Sequence, residues 1–273
     1  MPAIKEQYIT ELKKQLFYEM KTGKRNGIYG FIQRTMAYNS NRIEGSTLTE
    51  RQTASMFETG TISNEEDICV RTKDIEEMTG HFRMFNQAIQ TLDQPLSIDL
   101  IKQMHYNLKT GVFEDMINGY PCGEFKNRRN IVSNIQTTLP QDVPGDMAAL
   151  LNTYLQIQMP TVKDLAKLHA DYENIHPFQD GNGRTGRMIL FRESLRHNMI
   201  PVIIRDANKA TYLHALNKAQ TAGDLGGLTE CFEQEQEKFF DETKDIILPY
   251  DVLRKIETGK QAGNETNNML KLL

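Results

Sequence analysis

An all-α, mostly helical fold with one small β-hairpin is the class this sequence predicts. Three observations carry that expectation. Apolar residues recur at steps of three and four along most of the chain. Capping residues stand at the heads of several of those stretches. One stretch, Cys122 to Ile135, mixes turn residues with short β-branched runs and is the credible β segment.

Ile4, Tyr8, Leu12, Leu16 and Met20 share one face, which predicts a helix over 3–22 ended by the break from Gly23 to Gly27. Ile28, Phe31, Ile32 and Met36 predict a second over 28–42, with Gly45 suited to the left-handed position beyond its end. Thr49 and Gln52 form a capping-box pattern ahead of a short helix over 50–58. A long helix is expected over 67–92, interrupted near Gly80. Ser97 caps another over 98–109, and Gly111 ends it. From 112 to 140 helix signals are sparse, and Ile131, Val132 and Ile135 among turn residues predict the hairpin. Pro140 and Pro144 precede a helix over 145–158, and further helices are expected over 162–175, 185–198, 209–222 and 228–244. The polar stretch 259–268 is expected to fray.

At 273 residues the chain can bury one large core, or a main domain with a small appendage. A 39% apolar and 25% charged composition is that of an ordinary soluble globular protein, and a net charge of −4 predicts no general affinity for DNA or membranes. Cys69, Cys122 and Cys231 lack Cys-x-x-Cys spacing, which predicts neither a disulfide framework nor a zinc site, but a reducing, cytoplasmic compartment. No apolar run reaches membrane-spanning length, and no signal-peptide core is expected at the N-terminus.

The chemistry concentrates in His176-Pro-Phe-Gln-Asp180-Gly-Asn-Gly-Arg184-Thr-Gly-Arg187, between two predicted helices. Gly181 and Gly183 permit a tight loop and close backbone approach. A helix starting near Arg184 would aim free N–H groups into that loop, and the N–H groups from Gly181 to Gly183 could add an anion nest. His176 can serve as a general base near neutral pH. Asp180 suits Mg²⁺, which takes one or two carboxylates and leaves its other positions to phosphate and water. Arg184 and Arg187 are three apart and can clamp phosphates from one helix face. Phe178 and Pro177 fit structural roles and His169 a core position, and His81, His105, His197 and His214, which have no clustered partners, are expected to be structural or exposed.

These residues closely resemble the H-P-F-x-[D/E]-G-N-G-R-x-x-R signature of the Fic (Fic/Doc) family, and every defined position is met. The flanking words His169 to His176, Pro201-Val-Ile-Ile and Tyr212 to Leu216 are similar to the family's, so the resemblance covers roughly 65–245. It divides the chain into N-terminal helices over 1–64, a catalytic core over 65–245 and a tail segment over 246–273. It implies a protein adenylyltransferase, moving AMP from ATP to a Ser, Thr or Tyr hydroxyl of a target protein, with His176 as base and Asp180 holding Mg²⁺. It implies ATP and phosphate binding along Asp180, Gly181, Asn182, Gly183, Arg184, Thr185, Gly186 and Arg187. Tyr212 and Leu213 would line the nucleoside pocket, with Gln220 in place of an asparagine common in relatives. The family's flap, which docks the target by strand pairing, would fall on about 123–138 and include Ile131, Val132 and Ile135.

Ser40-x-x-x-Glu44-Gly45 resembles the family's inhibitory motif. In that reading Glu44 pairs with Arg187, displaces the γ-phosphate from its partner and spoils in-line geometry, with Ser40 holding the motif. Other readings stay open: removal of AMP with Glu44 positioning a water, a different nucleotide or phosphodiester donor, and a nucleotide-sensing module without catalysis. The Doc-like kinase reaction is disfavoured by Gly183, where Doc-type motifs carry Lys. The intact His176 and Asp180 disfavour a dead site, and the charge balance disfavours DNA. Self-modification and homo-oligomerisation are compatible with the resemblance, and the target cannot be read.

Overall fold

A computed structural model describes residues 2–62, 69–132 and 135–249. The chain runs through α1 (Pro2–Thr22), α2 (Ile28–Ile43), α3 (Glu50–Thr59), α4 (Thr72–Gln90), α5 (Ile98–Lys109) and α6 (Phe113–Asn118). Strands β1 (Ile131–Val132) and β2 (Ile135–Gln136) follow, then α7 (Val143–Leu155), α8 (Val162–Ile175), α9 (Asn182–Arg196), α10 (Lys209–Ala222) and α11 (Gly226–Ile247). The strands pair antiparallel, Ile131 opposite Gln136 and Val132 opposite Ile135. Helix dominates, with one small hairpin, as the periodicity predicts. No helix among the described residues is long and apolar enough to cross a membrane.

α9 is the centre of the molecule. Residues 184–195 are all buried, and the helix packs against α8, α4, α5 and α2. Around it Phe85, Met104, Leu108, Leu168, Phe178, Met188 and Phe191 form part of one continuous core. Yet α9 is not apolar all round, as a buried helix ordinarily is. It carries Arg184, Arg187, Arg192 and Glu193 into the interior. Arg192 is paired with Glu193 and donates to the Gln94 carbonyl at 2.6 Å, while the Tyr154 hydroxyl donates to Glu193 Oε2 at 3.0 Å.

The capping expectations are met in detail. Thr49 and Gln52 exchange both bonds of a capping box, and the Ser97 side chain accepts from the Leu100 N–H. Gly45 sits at φ 88 just past α2, the left-handed geometry that lets the chain turn off a helix end without a Cβ clash.

The departures have local causes. α6 occupies a stretch where helix signals looked sparse, because six residues give no periodicity to read. Its marks are Glu114 and Asp115 in the first turn and a left-handed Gly119 at the end. Pro144 lies inside the first turn of α7 rather than before it, where its missing N–H costs nothing. α4 begins at Thr72 and is not interrupted at Gly80; of the expected start, residues 67 and 68 lie outside the described residues. α9 starts at Asn182, earlier than expected, and ends at Arg196. The expected fraying over 259–268 falls outside the described residues, as does the tail segment beyond 249.

Gly80 marks a close helix crossing, not a break. A Cβ built there would overlap the Leu108 backbone carbonyl of α5, and backbone cannot step aside as a side-chain end can. Gly80→Ala should therefore destabilise the fold by about 1–3 kcal/mol, although alanine is the better helix former by about 1 kcal/mol. Urea unfolding would show a lowered midpoint; an unchanged or raised midpoint would mean that helix propensity, not the crossing, governs this position.

Candidate functional site

The loop between α8 and α9 is built by backbone constraints at both ends. His176 terminates α8 in the left-handed conformation, φ 51 and ψ 61, with its N–H donating to the Tyr172 carbonyl at 2.9 Å. Gly181, at φ 84, starts α9. Between them Asn182 folds its side chain back: Oδ1 accepts from the Phe178 N–H and Nδ2 donates to the Phe178 carbonyl, both at 2.8 Å. The Phe178 ring stacks on the His105 ring, with centroids 3.8 Å apart.

His105 closes the loop from the other side. Its Nδ1 accepts from the Gly123 N–H at 3.0 Å, so its Nε2–H donates to the Asp180 carbonyl, 2.9 Å away. Burial holds this imidazole neutral, its pKa pushed down to about 3. His105 is structural, one of the two roles expected of it: it joins the start of the hairpin region to the loop.

His176 Nδ1 is sealed from solvent without a hydrogen-bond partner and lies 3.6 Å from Glu173 Oε2. Nε2 is then the nitrogen left for exchange with an acceptor. Burial pushes the Glu173 carboxyl up, but His176, His169 and Arg187 outweigh it and hold the group below its ordinary value. An ionised carboxylate thus lies beneath the imidazole. Glu173 went unread in the sequence, although an acid three residues before a histidine shares its helix face.

Asp180 is the most heavily paired carboxylate of the loop. Its Oδ2 receives Lys109 Nζ at 2.8 Å and lies 3.6 Å from Lys73 Nζ; its Oδ1 accepts the Gly181 N–H at 2.7 Å and lies 3.5 Å from Arg184 Nη2. Burial pushes its pKa up, but Arg184, Lys109 and Lys73 overwhelm that effect and drive it far below the usual carboxylate range. Lys109 is buried and bonds Glu77 Oε1 at 2.5 Å and Asp115 Oδ2 at 2.7 Å as well. Lys73, Glu77, Lys109 and Asp115 were not found by sequence reading, and no spacing signal could have found them.

The two arginines are held by different helices. Arg184 is paired with Glu77 of α4 and reaches Asn41 Oδ1 at 3.4 Å. Arg187 donates Nε–H to Ser40 Oγ at 3.0 Å, and Nη2–H to the Ser40 carbonyl at 2.9 Å and to Glu44 Oε1 at 2.7 Å. The Glu44 carboxylate lies against Gly183, where any Cβ would collide with it. Helix α2 thus brings Ser40 and Glu44 onto the first two turns of α9.

The first-turn N–H groups of Asn182, Gly183 and Arg184 precede the first helical bond, Thr185 N–H to the Gly181 carbonyl at 3.0 Å, so they have no partner one turn back. The Gly181 N–H is not part of any nest, being spent on Asp180. A cavity of about 410 Å³ opens beside them, with Glu44, Lys73, Glu77, Phe113, Asp180 and Arg184 among its walls. Asp180, one-third exposed and ionised, is a carboxylate that a Mg²⁺ ion could reach. No group of three or more His, Cys, Asp or Glu residues forms a metal cage among the described residues.

Some expected residues are placed elsewhere. The Thr185 hydroxyl is buried and donates to the Gly181 carbonyl at 2.9 Å. Gly186 faces α8, where a Cβ would come 2.5 Å from Glu173 Oε1. Both serve packing rather than an open phosphate site. Tyr212 is buried beneath Arg187 with its hydroxyl 2.7 Å from His169 Nε2, which makes His169 the core residue expected. Leu213 is exposed, Gln220 half-buried, and none of the three lines the cavity. Ile135 is half-buried in β2; for Ile131 and Val132 only the backbone is described, and residues 133–134 between the strands lie outside the described residues.

Comparisons with known proteins bear on the family and the fold. Residues 95–192 match the family model described as Fic/DOC family. The chain is 30% identical over 241 residues to "Protein adenylyltransferase Fic" of Drosophila willistoni, covering 84% of this chain and 45% of that protein. The Drosophila melanogaster protein of that name is 30% identical over 250 residues, covering 85% and 46% respectively. The chain therefore spans about half the length of the curated relatives it matches. Among solved structures, a Fic domain-containing signaling protein from Bacteroides thetaiotaomicron superposes with a TM-score of 0.68 at 24% identity, covering 86% of this chain and 96% of that one. Fic-1 (aa134–508) from C. elegans gives 0.64 at 21% identity, covering 96% and 74%. With the loop signature complete, the family model matched and the helical fold shared, the chain belongs to the Fic/DOC family.

Proposed function

We propose that the protein is a Mg²⁺-dependent protein adenylyltransferase whose resting site is closed by its own α2. The observation that carries the reading is the start of α9, with His176 and the ionised Asp180 before it and Arg187, engaged by Glu44, in its second turn. Transfer of AMP needs each of these parts. His176 takes the proton of the attacking hydroxyl, whose oxygen bonds to the α-phosphorus. The bond from that phosphorus to the bridging oxygen breaks, and pyrophosphate leaves. The unpaired N–H groups at the start of α9 face the anionic phosphates. Asp180 would hold the magnesium ion, which neutralises phosphate charge. The relatives named protein adenylyltransferase support the reaction class.

Closure follows from exchange of partners. Arg187 has one face for a carboxylate or a phosphate, and Glu44 Oε1 takes it at 2.7 Å. A γ-phosphate arriving with Glu44 in place meets a carboxylate where it needs a guanidinium, so the triphosphate is displaced from in-line alignment. The same carboxylate is 37% exposed. That leaves it able to orient a water, and the reverse reaction, hydrolysis of a protein-bound AMP, is the second reading. Asp180, Arg187 and the first turn of α9 would serve both directions.

Glu44→Gly should raise AMP incorporation from labelled ATP by about ten-fold or more, since correct alignment carries much of the rate. Intact-mass spectrometry showing no gain of label on the chain or on lysate proteins would count against closure by α2. In that background His176→Ala should cut incorporation by about 10²–10⁴-fold, the range expected for a general base. Persistent labelling would remove His176 from that role. Arg187→Ala in the same background should weaken ATP binding by about ten-fold, equivalent to about 1.4 kcal/mol. Calorimetry finding unchanged affinity would mean Arg187 serves Glu44 and Ser40 alone.

A further inference from the structure

The loop bearing His176 is fastened to the hairpin through its own carbonyls. The Lys126 N–H donates to the Pro177 carbonyl at 2.8 Å, and Lys126 Nζ donates to the Ile175 carbonyl at 3.2 Å. Asn130 Nδ2 donates to the Phe178 carbonyl at 3.0 Å. The carbonyls flanking His176 on both sides are thus held by Lys126, on the arm leading into β1. The arm leaving β2 joins through Thr137: Lys126 Nζ donates to Thr137 Oγ1 at 2.9 Å and to Asn130 Oδ1 at 2.8 Å, and the Thr137 hydroxyl lies 2.7 Å from Asn130 Oδ1.

Lys126 is 3% exposed, and the oxygens around its ammonium are neutral. Burial pushes its pKa down to about 8. A buried cation without a counter-charge costs stability, and an apolar side chain of similar length would fill the same space more cheaply. What the ammonium offers instead is three directed N–H bonds, each to a different part of one junction. Two of its acceptors belong to the hairpin arms and the third belongs to the residue before His176.

We propose that Lys126 is a positioning residue for the transfer step: it fixes the hairpin that presents the acceptor hydroxyl in register with the loop that carries His176. This rests on the AMP-transfer reading above and adds to it a residue that touches neither nucleotide nor acceptor. It also separates two reactions of one site. Transfer to a protein hydroxyl uses the hairpin; transfer to water, giving AMP and pyrophosphate, does not. In both, the acceptor oxygen bonds to the α-phosphorus, His176 takes its proton, and pyrophosphate leaves.

The test compares Lys126→Met and Lys126→Arg in the Glu44→Gly background, with α-labelled ATP and Mg²⁺. Lys126→Met should lower kcat for labelling of protein, the chain itself and a lysate, by about 10²-fold, the scale of a misplacement of about 1 Å. Hydrolysis of ATP to AMP and the Kd for ATP should stay within about two-fold of the parent, since neither uses the hairpin. Lys126→Arg, which restores charge and donors, should recover most of the labelling. Amide hydrogen exchange should show the residue 126 N–H losing protection in Lys126→Met while α8 and α9 keep theirs. Undiminished labelling, or a parallel loss of labelling, hydrolysis and ATP affinity, would overturn the proposal. If the Glu44→Gly parent itself neither labels nor hydrolyses, the AMP-transfer reading fails on its own. The exchange measurement then decides the junction, and unchanged protection at residue 126 refutes it.

Discussion

The constraint on which the structure depends is the burial of arginines on a central helix. Arg184, Arg187 and Arg192 lie on α9, each at most 3% exposed. A buried guanidinium is tolerable only with its donors met, and no single neighbour can meet three of them. The partners therefore come from separate elements. α4 supplies Glu77 to Arg184, and α2 supplies Ser40 and Glu44 to Arg187. The turn after α4 supplies carbonyls to Arg192. Helix packing and site assembly are thus one problem with one solution. The helices that shield α9 are also the helices that hold its charges.

The same logic sets the state of Asp180. Glu77, Asp115 and Asp180 contribute three carboxylates around Lys109, while Lys73 and Arg184 add two further cations at its edge. Glu114, 3.3 Å from Lys73 Nζ, adds a further acid at that edge, and burial raises the pKa of the Asp115 carboxyl. An isolated cation would have to compete with Lys109 for Oδ2, whereas one arriving with its phosphates also brings anions to the free N–H groups of α9.

The sequence shows the site unevenly, and distance along the chain explains why. The span from His176 to Arg187 is contiguous, so its residue types state its chemistry without the fold. Glu44 and Ser40 were readable only because a second motif is itself contiguous and was read beside the first. Glu77, Lys109 and Asp115 have no such mark. They are ordinary charged residues of α4, α5 and α6 until packing brings them onto Asp180. Gly80 shows the opposite failure: local propensity indicates a break, and the Leu108 carbonyl across the interface supplies the real reason for the glycine. Thr185, Gly186 and Tyr212 show a third. A motif position can be specified by packing as strictly as by a ligand, and the sequence records both as the same letter.

Arg187 is where fold and chemistry meet most directly. A phosphate that binds it does not gain a new ion pair; it replaces the one with Glu44, and much of the Coulomb energy cancels between the two states. The balance is then decided by how firmly α2 is held. Arg71 Nη2 donates to the Gly45 carbonyl at 2.6 Å, and Asp74 accepts from the Thr47 N–H at 2.8 Å and from the Thr47 hydroxyl at 2.6 Å. Those bonds tie the chain just past Glu44 to the start of α4, whose Lys73 and Glu77 already engage Asp180 and Arg184. Glu44 and Asp180 are therefore steadied from one helix. The start of α4 thus bears on the Gly45–Thr47 turn and on the surroundings of Asp180 at once, so Glu44 and Asp180 are linked through α4.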